Sequence, residues 1–515
     1  MAKTRTCSTD MPWTCPSTAF DVAVERKHVH VKQQGKVPEW MRGKYVRNGP
    51  GDYRADGHGR RMKHLFDGYA ALVGVELDGK KPCGQQGQLT VTCLDTLAYK
   101  NAKQGRMKVR EFATTPHHSS LGSRAEELLA TITTALGGGE GITDNASVNV
   151  VKEGTSGLLA MTETRQGTYL VDPDTLQVRK RLEYAPNDRI RGDMTTAHPW
   201  WDSTLETWIN YSTEVGQGYH VWSRKNGTVQ RRKIATVQAK RPWAPTWMHS
   251  FATSKNRVLL AEQPMFLNLA AMTLGGQFET PYYNFDWVPH EGTQLNLVNR
   301  LTGGITQVHT EPFFNFHFIN AFDAEGEDTF VADVVAYKDP NILVALALDN
   351  MERTPSTSAD LPEARLVRLT VRGSKCEMTN LVDLTKAGNF LEYPTINPAY
   401  TMREYTFVYG VCAAMRPLCV ANGLCKINVA TKQVEAVWQE AGCVTGEPCF
   451  VAAPNAREED DGVVLSIVNG PSGVSFLLVL DGQSFQELSR LDLGTGVPYG
   501  FHGTFVGAEI AGNPT

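Results

Sequence analysis

The stretch "LNLVNRLTGGITQVH", residues 295–309, contains two segments of alternating apolar and polar residues, separated by a turn with two consecutive glycines. Alternation with a period of two is typical of β-strands with one buried face, and valine and isoleucine favour strands. A polar, glycine-containing turn between two strands favours a direct reversal of the chain. The sequence therefore predicts a β-hairpin here.

The same pattern occurs four more times along the chain. The further copies are "TYLVDPDTLQVRKRL" at 168–182, "YHVWSRKNGTVQRRK" at 219–233, "LCKINVATKQVEAVW" at 424–438 and "FLLVLDGQSFQELSRL" at 476–491. Hairpins repeated over most of a chain predict an all-β propeller, and long helical periodicity is scarce. A propeller arranges one inner strand of each blade around a central axis, so residues far apart in sequence can meet there.

Composition and charge narrow the class of protein. The chain has 515 residues and a formal net charge of -4, which excludes nucleic acid as a main partner because no basic segment dominates. No apolar run reaches the length of a membrane-spanning helix, and the first residues lack the apolar core of a signal peptide, so we expect a cytoplasmic protein. The 10 cysteines form no C-x-x-C pair, which excludes a zinc ribbon and predicts reduced thiols.

The clearest helical candidate is "SRAEELLATITTAL", residues 123–136. Its apolar face consists of Leu128, Leu129, Ile132 and Leu136. Two interpretations stay open: an ordinary helix packed on the propeller, or a helix that lies in the surface of a bilayer. Its polar face lacks the excess of lysine and arginine that a strong membrane binder carries.

Four of the 13 histidines lie in short apolar or proline-marked contexts far apart in sequence. They are His198 in "MTTAHPWW", His249 in "PTWMHSFA", His317 in "FNFHFINAF" and His502 in "PYGFHGTF". One such histidine alone is more often a core residue whose nitrogens are satisfied by backbone groups. Four that converge on a propeller axis form a candidate metal site, and imidazole suits iron, copper, nickel and zinc alike.

Three glutamates lie in strand-like, partly apolar contexts where a lone carboxylate would be costly. They are Glu163 in "LLAMTETRQ", Glu392 in "FLEYPTINP" and Glu447 in "VTGEPCFV". An all-imidazole site leaves the charge of a divalent ion uncompensated. Nearby carboxylates soften that charge and accept the other N–H group of each ligand, which fixes its tautomer.

The chain resembles the carotenoid cleavage oxygenases in stretches that run in order from one end to the other. They include "GKYVRNGPG" at 43–51, "HLFDGYA" at 64–70, "TETRQGTYLVDPDTL" at 162–176, "EYPTINPAY" at 392–400 and "FHGTF" at 501–505. The resemblance favours the animal-type branch, which contains the β-carotene oxygenases and the retinoid isomerohydrolase of the visual cycle. It implies a single domain over residues 1–515, with residues 1–20 as a flexible N-terminal extension. The implied fold is a seven-bladed β-propeller with a helical and loop cap over its top face.

The resemblance also implies a ferrous iron, Fe(2+), on the propeller axis. Its implied ligands are His198, His249, His317 and His502. Its implied carboxylate partners are Glu163 for His249, Glu392 for His317 and Glu447 for His502, which leaves His198 without one. Two other matched features are interpreted as structural: His64 in "HLFDGYA", and the acidic turn "EEDDG" at 458–462, which we expect to be exposed.

The implied activity is that of a dioxygenase, which inserts both atoms of O2 across one C=C bond of a carotenoid or apocarotenoid and gives two carbonyl products. The implied lining of the substrate tunnel is Phe112, Thr162, Trp247, Phe316 and Phe501. Three alternatives remain: a non-oxidative isomerohydrolase, a stilbene-cleaving oxygenase, and a propeller that binds apocarotenoids without catalysis. The stilbene-cleaving relatives place a lysine before the first glutamate, where this chain has Thr162.

The resemblance further implies peripheral attachment to a membrane or lipid surface, because the substrate is nearly insoluble in water. Animal-type relatives carry a Pro-Asp-Pro-Cys-Lys segment where this chain reads "EFATTPHHSS" at 111–120. The cysteine available there for acylation is missing. If attachment occurs, we expect the apolar face of the predicted helix at 123–136 to provide it.

Overall fold

The computed structural model describes the chain at 17–56, 60–105, 111–113, 142–154, 157–274, 280–324, 328–353 and 360–507. Within these ranges, seven antiparallel sheets of four or more strands form the blades of a β-propeller. Blade 1 contains β1 Arg26–His30, β3 Arg42–Asp52, β4 Tyr69–Asp78, β5 Gly87–Cys93 and β34 Gly503–Gly507. Blade 2 contains β6 Asn149–Glu153, β7 Gly157–Met161, β8 Thr168–Val171 and β9 Val178–Arg181. Blade 3 contains β10 Met194–Thr195, β11 Trp200–Asp202, β12 Thr207–Glu214, β13 Gly218–Lys225 and β14 Arg231–Gln238.

The remaining blades follow in chain order. Blade 4 contains β15 Ala252–Thr253, β16 Arg257–Glu262, β19 Thr293–Asn299 and β20 Ile305–Thr310, and its connection carries the two-stranded ribbon β17 Met265–Leu267 and β18 Phe285–Trp287. Blade 5 contains β21 Phe318–Asp323, β22 Thr329–Tyr337, β23 Ala364–Arg372 and β24 Lys375–Val382. Blade 6 contains β25 Glu392–Thr395, β26 Phe407–Cys412, β27 Gly423–Asn428 and β28 Gln433–Gln439. Blade 7 contains β2 Lys32–Gly35, β29 Val444–Thr445, β30 Cys449–Ala452, β31 Gly462–Asn469, β32 Ser475–Asp481 and β33 Glu487–Asp492.

All five predicted hairpins form, and they supply the strand pairs β8–β9, β13–β14, β19–β20, β27–β28 and β32–β33. In the hairpin at 295–309, the side-chain oxygen of Asn299 accepts hydrogen bonds from the amides of Leu301 at 3.0 Å and Thr302 at 2.9 Å. Gly303 then adopts a φ of 73°, a left-handed conformation that favours glycine. The turn residues therefore fix the reversal, and the predicted all-β propeller is confirmed.

Two strand pairings close the ring. Strand β34, from the C-terminal end of the described chain, pairs with β3, and the early strand β2 pairs with β33 at the outer edge of blade 7. Each pairing joins residues from opposite ends of the sequence and covers a strand edge that would otherwise be unpaired. The ring is thereby closed on both its inner and its outer side.

The blades pack on each other through alternate side chains of their central strands. Every residue of β22 is buried, because one face of the strand contacts blade 4 and the other contacts blade 6. Val334 belongs to a cluster with Leu259 of blade 4, whereas its neighbour Val335 belongs to a cluster with Leu424 of blade 6. Burying a side chain of this size contributes about 1.5–3 kcal/mol, so the two faces of each blade supply much of the stability.

The described residues form four short α-helices. They are α1 Leu97–Lys103, α2 Leu269–Leu274, α3 Asn341–Ala345 and α4 Leu348–Met351. Residues of the last three elements and their flanks line the cavity described below. No helix among the described residues is both long and apolar enough to cross a membrane.

Two expectations need correction, and one lies outside the described residues. Ser17–Phe20 forms one turn of 3-10 helix in which Ala19 and Phe20 are buried, so the last residues assigned to a flexible extension belong to the packed fold. The turn "EEDDG" is only partly exposed: Glu459 is buried and accepts hydrogen bonds from the amides of Thr406 and Phe407. The predicted helix at 123–136 is outside the described residues. The eight described cysteines are all free, as predicted.

Candidate metal centre and the cavity beside it

The seven candidate metal-site residues come one from each blade. In blade order from 1 to 7 they are His502, Glu163, His198, His249, His317, Glu392 and Glu447. All but one lie at or just before the inner strand of their blade, and Glu163 lies in the neighbouring β7–β8 turn. The ring of inner strands therefore brings together side chains that are up to 339 positions apart in sequence (502 minus 163).

The four imidazoles meet at one point near the axis. One ring nitrogen from each of His198, His249, His317 and His502 lies within 4.8 Å of the others. The Nε2 atoms of His198 and His249 are 2.9 Å apart, those of His249 and His317 are 3.3 Å apart, and those of His317 and His502 are 3.2 Å apart. Four nitrogens directed at a common centre are the arrangement that a single metal ion requires.

Three carboxylates occupy the other nitrogens of three of these rings. The Nδ1 atom of His249 lies 2.5 Å from Oε1 of Glu163. The Nδ1 atom of His317 lies 2.6 Å from Oε2 of Glu392, and that of His502 lies 2.6 Å from Oε1 of Glu447. In His317 and His502 the carboxylate is hydrogen-bonded to Nδ1 and holds the proton there, so Nε2 carries the lone pair. Lone pairs that face one another at about 3 Å repel unless a cation lies between them. The donor set therefore fits a bound metal ion.

The second oxygen of each carboxylate is also held. The indole N–H of Trp247 donates to Oε2 of Glu163 at 2.7 Å, and the hydroxyl of Tyr337 donates to Oε1 of Glu392 at 2.8 Å. The amide of Gly503 donates to Oε2 of Glu447 at 2.7 Å. These donors fix the carboxylates, which in turn fix the orientation of the imidazoles.

His198 differs from the other three histidines. Among the described residues no carboxylate contacts its ring, and its backbone amide donates to Oγ1 of Thr196 at 3.0 Å. Burial, with the neighbouring imidazoles, holds the pKa of His198 and of His317 well below the usual range for histidine. Both rings are therefore neutral at physiological pH, which is the form that binds metals.

Burial also raises the pKa of Glu392 to about 7, and the hydrogen bonds from the Tyr337 hydroxyl and the Tyr393 amide oppose that rise. A buried carboxylate is costly without a nearby positive charge. A cation between the imidazoles supplies that charge and favours the ionised carboxylate. The electrostatics of the site thus complement the geometry.

A cavity of about 270 Å³ adjoins the four-histidine cluster and includes His249, His317 and His502 in its lining. All five residues predicted to line the tunnel are in it: Phe112, Thr162, Trp247, Phe316 and Phe501. The ring of Trp247 stacks on Phe285 with centroids 5.4 Å apart and contacts His249 at 5.9 Å. The cavity wall and the imidazole cluster are therefore in direct contact.

Sequence reasoning missed some residues of the site. Tyr337 ends the buried strand β22, and nothing in "DTFVADVVAY" marks its hydroxyl as the donor to Glu392. Phe66 lies in the quoted motif "HLFDGYA", and its ring contacts both Phe316 and Phe501 in the cavity wall. His64 in that motif is structural: its Nε2 lies 2.8 Å from the carbonyl of Leu343, and its Nδ1 accepts from the amide of Phe66.

Residues 19–507 match the protein family described as retinal pigment epithelial membrane protein. Over 487 residues the chain is 36% identical to carotenoid cleavage dioxygenase 8, chloroplastic, of Arabidopsis thaliana, which covers 92% of this chain and 82% of that relative. Over 533 residues it is 26% identical to the beta,beta-carotene 15,15'-dioxygenase of Homo sapiens, with 93% and 92% covered. Cobalt-substituted Synechocystis ACO has a similar fold, with a TM-score of 0.78 at 21% identity and coverage of 96% and 98%.

These identities bear on the branch that the sequence favoured. The plant relative shares 36% of aligned residues with this chain and the human relative shares 26%. The family is thus supported more firmly than the animal-type branch within it.

Proposed function

The chain belongs to the retinal pigment epithelial membrane protein family, the family of the carotenoid cleavage oxygenases, and on this premise we propose that it is a non-haem Fe(II) dioxygenase. The proposed reaction adds one O2 across one C=C bond of a carotenoid or apocarotenoid and releases two carbonyl products. Atoms balance without a further reductant or oxidant, because each alkene carbon receives one oxygen atom. The names of the relatives support this substrate class.

One observation carries the proposal: four imidazoles with converging nitrogens lie beside a cavity with largely apolar walls. When bound by His198, His249, His317 and His502, ferrous iron supplies the activation of dioxygen. Glu163, Glu392 and Glu447 hold the imidazole tautomers and compensate part of the positive charge. Imidazole ligands alone fit several metals. The choice of iron therefore rests on the family to which the chain belongs.

The cavity residues bind and orient the polyene. Trp247, Phe316 and Phe501 present aromatic surface beside the histidines, and such surface binds a flat conjugated chain while it excludes water. Thr162 precedes Glu163 in the chain and lines the same cavity, so it limits the space next to the metal centre. The position at which the polyene stops in this cavity then selects the bond that is cleaved.

The alternatives receive less support. A stilbene-cleaving enzyme needs a cation near the phenol oxygen, yet the described lining contains neither lysine nor arginine and has Thr162 at the diagnostic position. An isomerohydrolase shares the metal-site residues, so oxygen uptake separates it from a dioxygenase. A propeller that binds apocarotenoids without catalysis has no use for four histidines and three carboxylates in this arrangement.

The test is to assay the purified protein for iron and then incubate it with a panel of carotenoids and apocarotenals. We expect one iron per chain, uptake of about one O2 per polyene cleaved, and two aldehydes identified by mass. Retinoid alcohol formed without oxygen uptake would establish the isomerohydrolase. Turnover of a hydroxystilbene alone would establish the stilbene-cleaving enzyme, and the absence of both iron and turnover would leave only binding.

We also propose that the enzyme collects its substrate at a lipid surface, because carotenoids are nearly insoluble in water. A few apolar side chains suffice for weak, reversible binding without a lipid anchor. We expect the protein to partition onto liposomes, and Leu128→Ser with Ile132→Ser to reduce this partitioning while iron content stays the same. Unchanged partitioning would exclude the segment 123–136 as the membrane contact.

A further inference from the structure

Polar groups that are not part of the metal centre also line the cavity. Glu111, Thr143, Ser147 and Thr164 all line it, and we name these four residues the polar wall. Thr164 Oγ1 donates to the carbonyl of Thr143 at 2.8 Å, which ties the wall to the β7–β8 turn that carries Glu163. A polar patch in an otherwise apolar ligand cavity fixes the orientation of the ligand.

The hydrogen bonds of the polar wall have a defined direction. The amide of Asn145 donates to Oγ1 of Thr143 at 3.0 Å, and Oγ1 of Thr143 donates to Oε1 of Glu111 at 2.6 Å. Because the Thr143 hydroxyl has one proton and gives it to Oε1, that oxygen acts as an acceptor. A proton on the carboxyl group then resides on Oε2.

Glu111 is suited to be such a donor. It is 5% exposed, and no lysine or arginine accompanies it in the described lining of the cavity. Burial raises the pKa of Glu111 well above its usual range, the negative charges of Asp67 and Asp144 add to the rise, and the hydrogen bonds from Thr143 and Asn145 oppose it. A neutral carboxylic acid in an apolar site donates a hydrogen bond.

Ser147 provides a second, independent observation. Its side chain is 2% exposed and lines the cavity, and its hydroxyl has no hydrogen-bond partner among the described residues. A serine hydroxyl can both donate and accept a hydrogen bond. Ser147 thus offers a hydrogen bond that the protein itself does not use.

The polar wall and the metal centre belong to the same cavity. Phe112, next to Glu111 in the chain, has its ring 5.6 Å from that of Trp247, which in turn contacts His249 at 5.9 Å. The amide of Ala113 donates to Oδ1 of Asp67 at 2.9 Å and fixes this segment against the propeller. A ligand long enough to reach the histidines can therefore also contact Glu111.

We propose that Glu111 and Ser147 form a docking point for an oxygen atom at one end of the substrate. The enzyme accordingly prefers a polyene that ends in a carbonyl or hydroxyl group over a hydrocarbon of the same length. This inference rests on the proposed function, because it assigns the kind of polyene that the same cavity takes. A site built to hydrogen-bond an oxygen rejects the analogue that lacks it, since its own buried polar groups then stay unpaired.

The test measures binding without turnover, on the holoenzyme in the absence of oxygen, by quenching of tryptophan fluorescence. The ligands are three polyenes of equal length that end in an aldehyde, an alcohol or a methyl group. We expect the wild type to bind at least one of the oxygen-bearing ligands about 10-fold more tightly than the hydrocarbon, which corresponds to one buried hydrogen bond. The aldehyde and alcohol arms decide which oxygen is accepted.

Two substitutions at Glu111 separate hydrogen bonding from shape. Glu111→Gln keeps an N–H donor and should keep the preference, whereas Glu111→Met keeps the length and should remove it. Ser147→Ala removes the second donor and should reduce the preference about 3-fold, which keeps the proposal testable if Glu111→Met fails to fold. Equal binding of all three ligands by the wild type, or an unchanged preference in both Glu111→Met and Ser147→Ala, overturns the proposal.

The experiment tests the docking point separately from the proposed reaction. A Glu111-dependent preference in a protein that cleaves no polyene supports the docking point and contradicts the reaction. Cleavage of polyenes with no preference for an oxygen-bearing end supports the reaction and contradicts the docking point.

Discussion

Two regions of the molecule contain a buried histidine in contact with a glutamate. They differ in whether a ring nitrogen of that histidine remains free to bind a metal. On the axis, Glu392 takes Nδ1 of His317 at 2.6 Å and leaves Nε2 directed at the other imidazoles. In blade 3, Glu214 takes Nε2 of His220 at 2.7 Å, and Oγ1 of Thr236 lies 2.9 Å from Nδ1. His220 has no nitrogen left for a ligand.

The difference shows that neither burial nor a carboxylate partner is enough to identify a metal ligand. His220 is 2% exposed and His317 is 8% exposed, so burial favours the wrong residue. What distinguishes His317 is one unused nitrogen and three further rings with nitrogens directed at the same point. Matched pairs of variants in the two regions test this distinction.

The largest effect is expected for the loss of an imidazole on the axis. His317→Ala removes one of four nitrogen ligands, so we expect metal affinity to fall by more than about 100-fold, beyond the effect of losing a supporting group, and cleavage activity to disappear. His249→Ala should behave in the same way. Metal content by atomic absorption and product formation measure both effects.

The matched control is His220→Ala, which removes an equally buried, carboxylate-paired imidazole from blade 3. We expect a loss of stability of about 1–3 kcal/mol, because Glu214 and Thr236 lose a buried partner, with normal metal content. Full metal binding by His317→Ala, or its loss in His220→Ala, would reverse the assignment of the two regions.

The next effect concerns the carboxylates. Glu392→Gln keeps the shape of the side chain and one acceptor oxygen but removes the negative charge that balances the metal ion, so metal affinity should fall about 10- to 100-fold. Glu214→Gln makes the same change beside His220 and should leave metal affinity unchanged. Competition with a metal chelator measures both variants, and equal affinities for the two would contradict a supporting role for Glu392.

A smaller effect is expected one step further from the centre. Tyr337→Phe removes the hydroxyl that donates to Oε1 of Glu392 at 2.8 Å, and metal affinity should fall about 3- to 10-fold. Tyr219→Phe is the matched control, because its hydroxyl donates to Oε1 of the buried Glu262 at 3.0 Å away from the axis. It should lower stability by about 1 kcal/mol and leave metal affinity unchanged. A larger loss of metal affinity in Tyr219→Phe than in Tyr337→Phe would exclude the proposal that the Tyr337 hydroxyl supports the metal site through Glu392.

The smallest effect is a pH dependence at His64, whose two nitrogens are both used by backbone groups. Burial lowers the pKa of His64 to about 4, and the hydrogen bond to Leu343 opposes this. The unfolded chain binds a proton at this position below a pH of about 6.5, whereas the folded protein does not until near pH 4, so stability falls as pH decreases between these values. Glutamine does not bind a proton in this pH range. The free energy of unfolding of His64→Gln should therefore fall by about 1 kcal/mol less between pH 7.5 and pH 5.5 than that of the wild type. Urea unfolding at both pH values measures the difference, and equal losses would contradict a neutral buried His64.

The hairpins could be predicted because each is specified locally. In 295–309 the alternating residues set the strands, and Asn299 and Gly303 set the turn, so no distant residue is needed to recognise the fold. Locating the histidines was harder. His220 in "YHVWS" and His317 in "FNFHFIN" have similar apolar neighbours, and only the position of His317 at an inner strand separates them.

The sequence was least informative where support comes from distant backbone or side chains. Glu459 looked like part of an exposed acidic turn, yet the amides of Thr406 and Phe407 on blade 6 pair with it. The hydroxyl of Tyr337 and the hydroxyl of Thr143 each meet a glutamate that is more than 30 positions away. Such pairs depend on how connections between blades pack, which local pattern does not encode.

The central claim is that one iron binds where the four imidazoles converge, and anomalous diffraction at the iron absorption edge tests it most directly. For crystals of the active holoenzyme we expect one anomalous peak per chain, enclosed by the Nε2 atoms of His198, His249, His317 and His502. An active enzyme with no peak at that point, or with its peak beside other residues such as His220 and Glu214, would contradict the account.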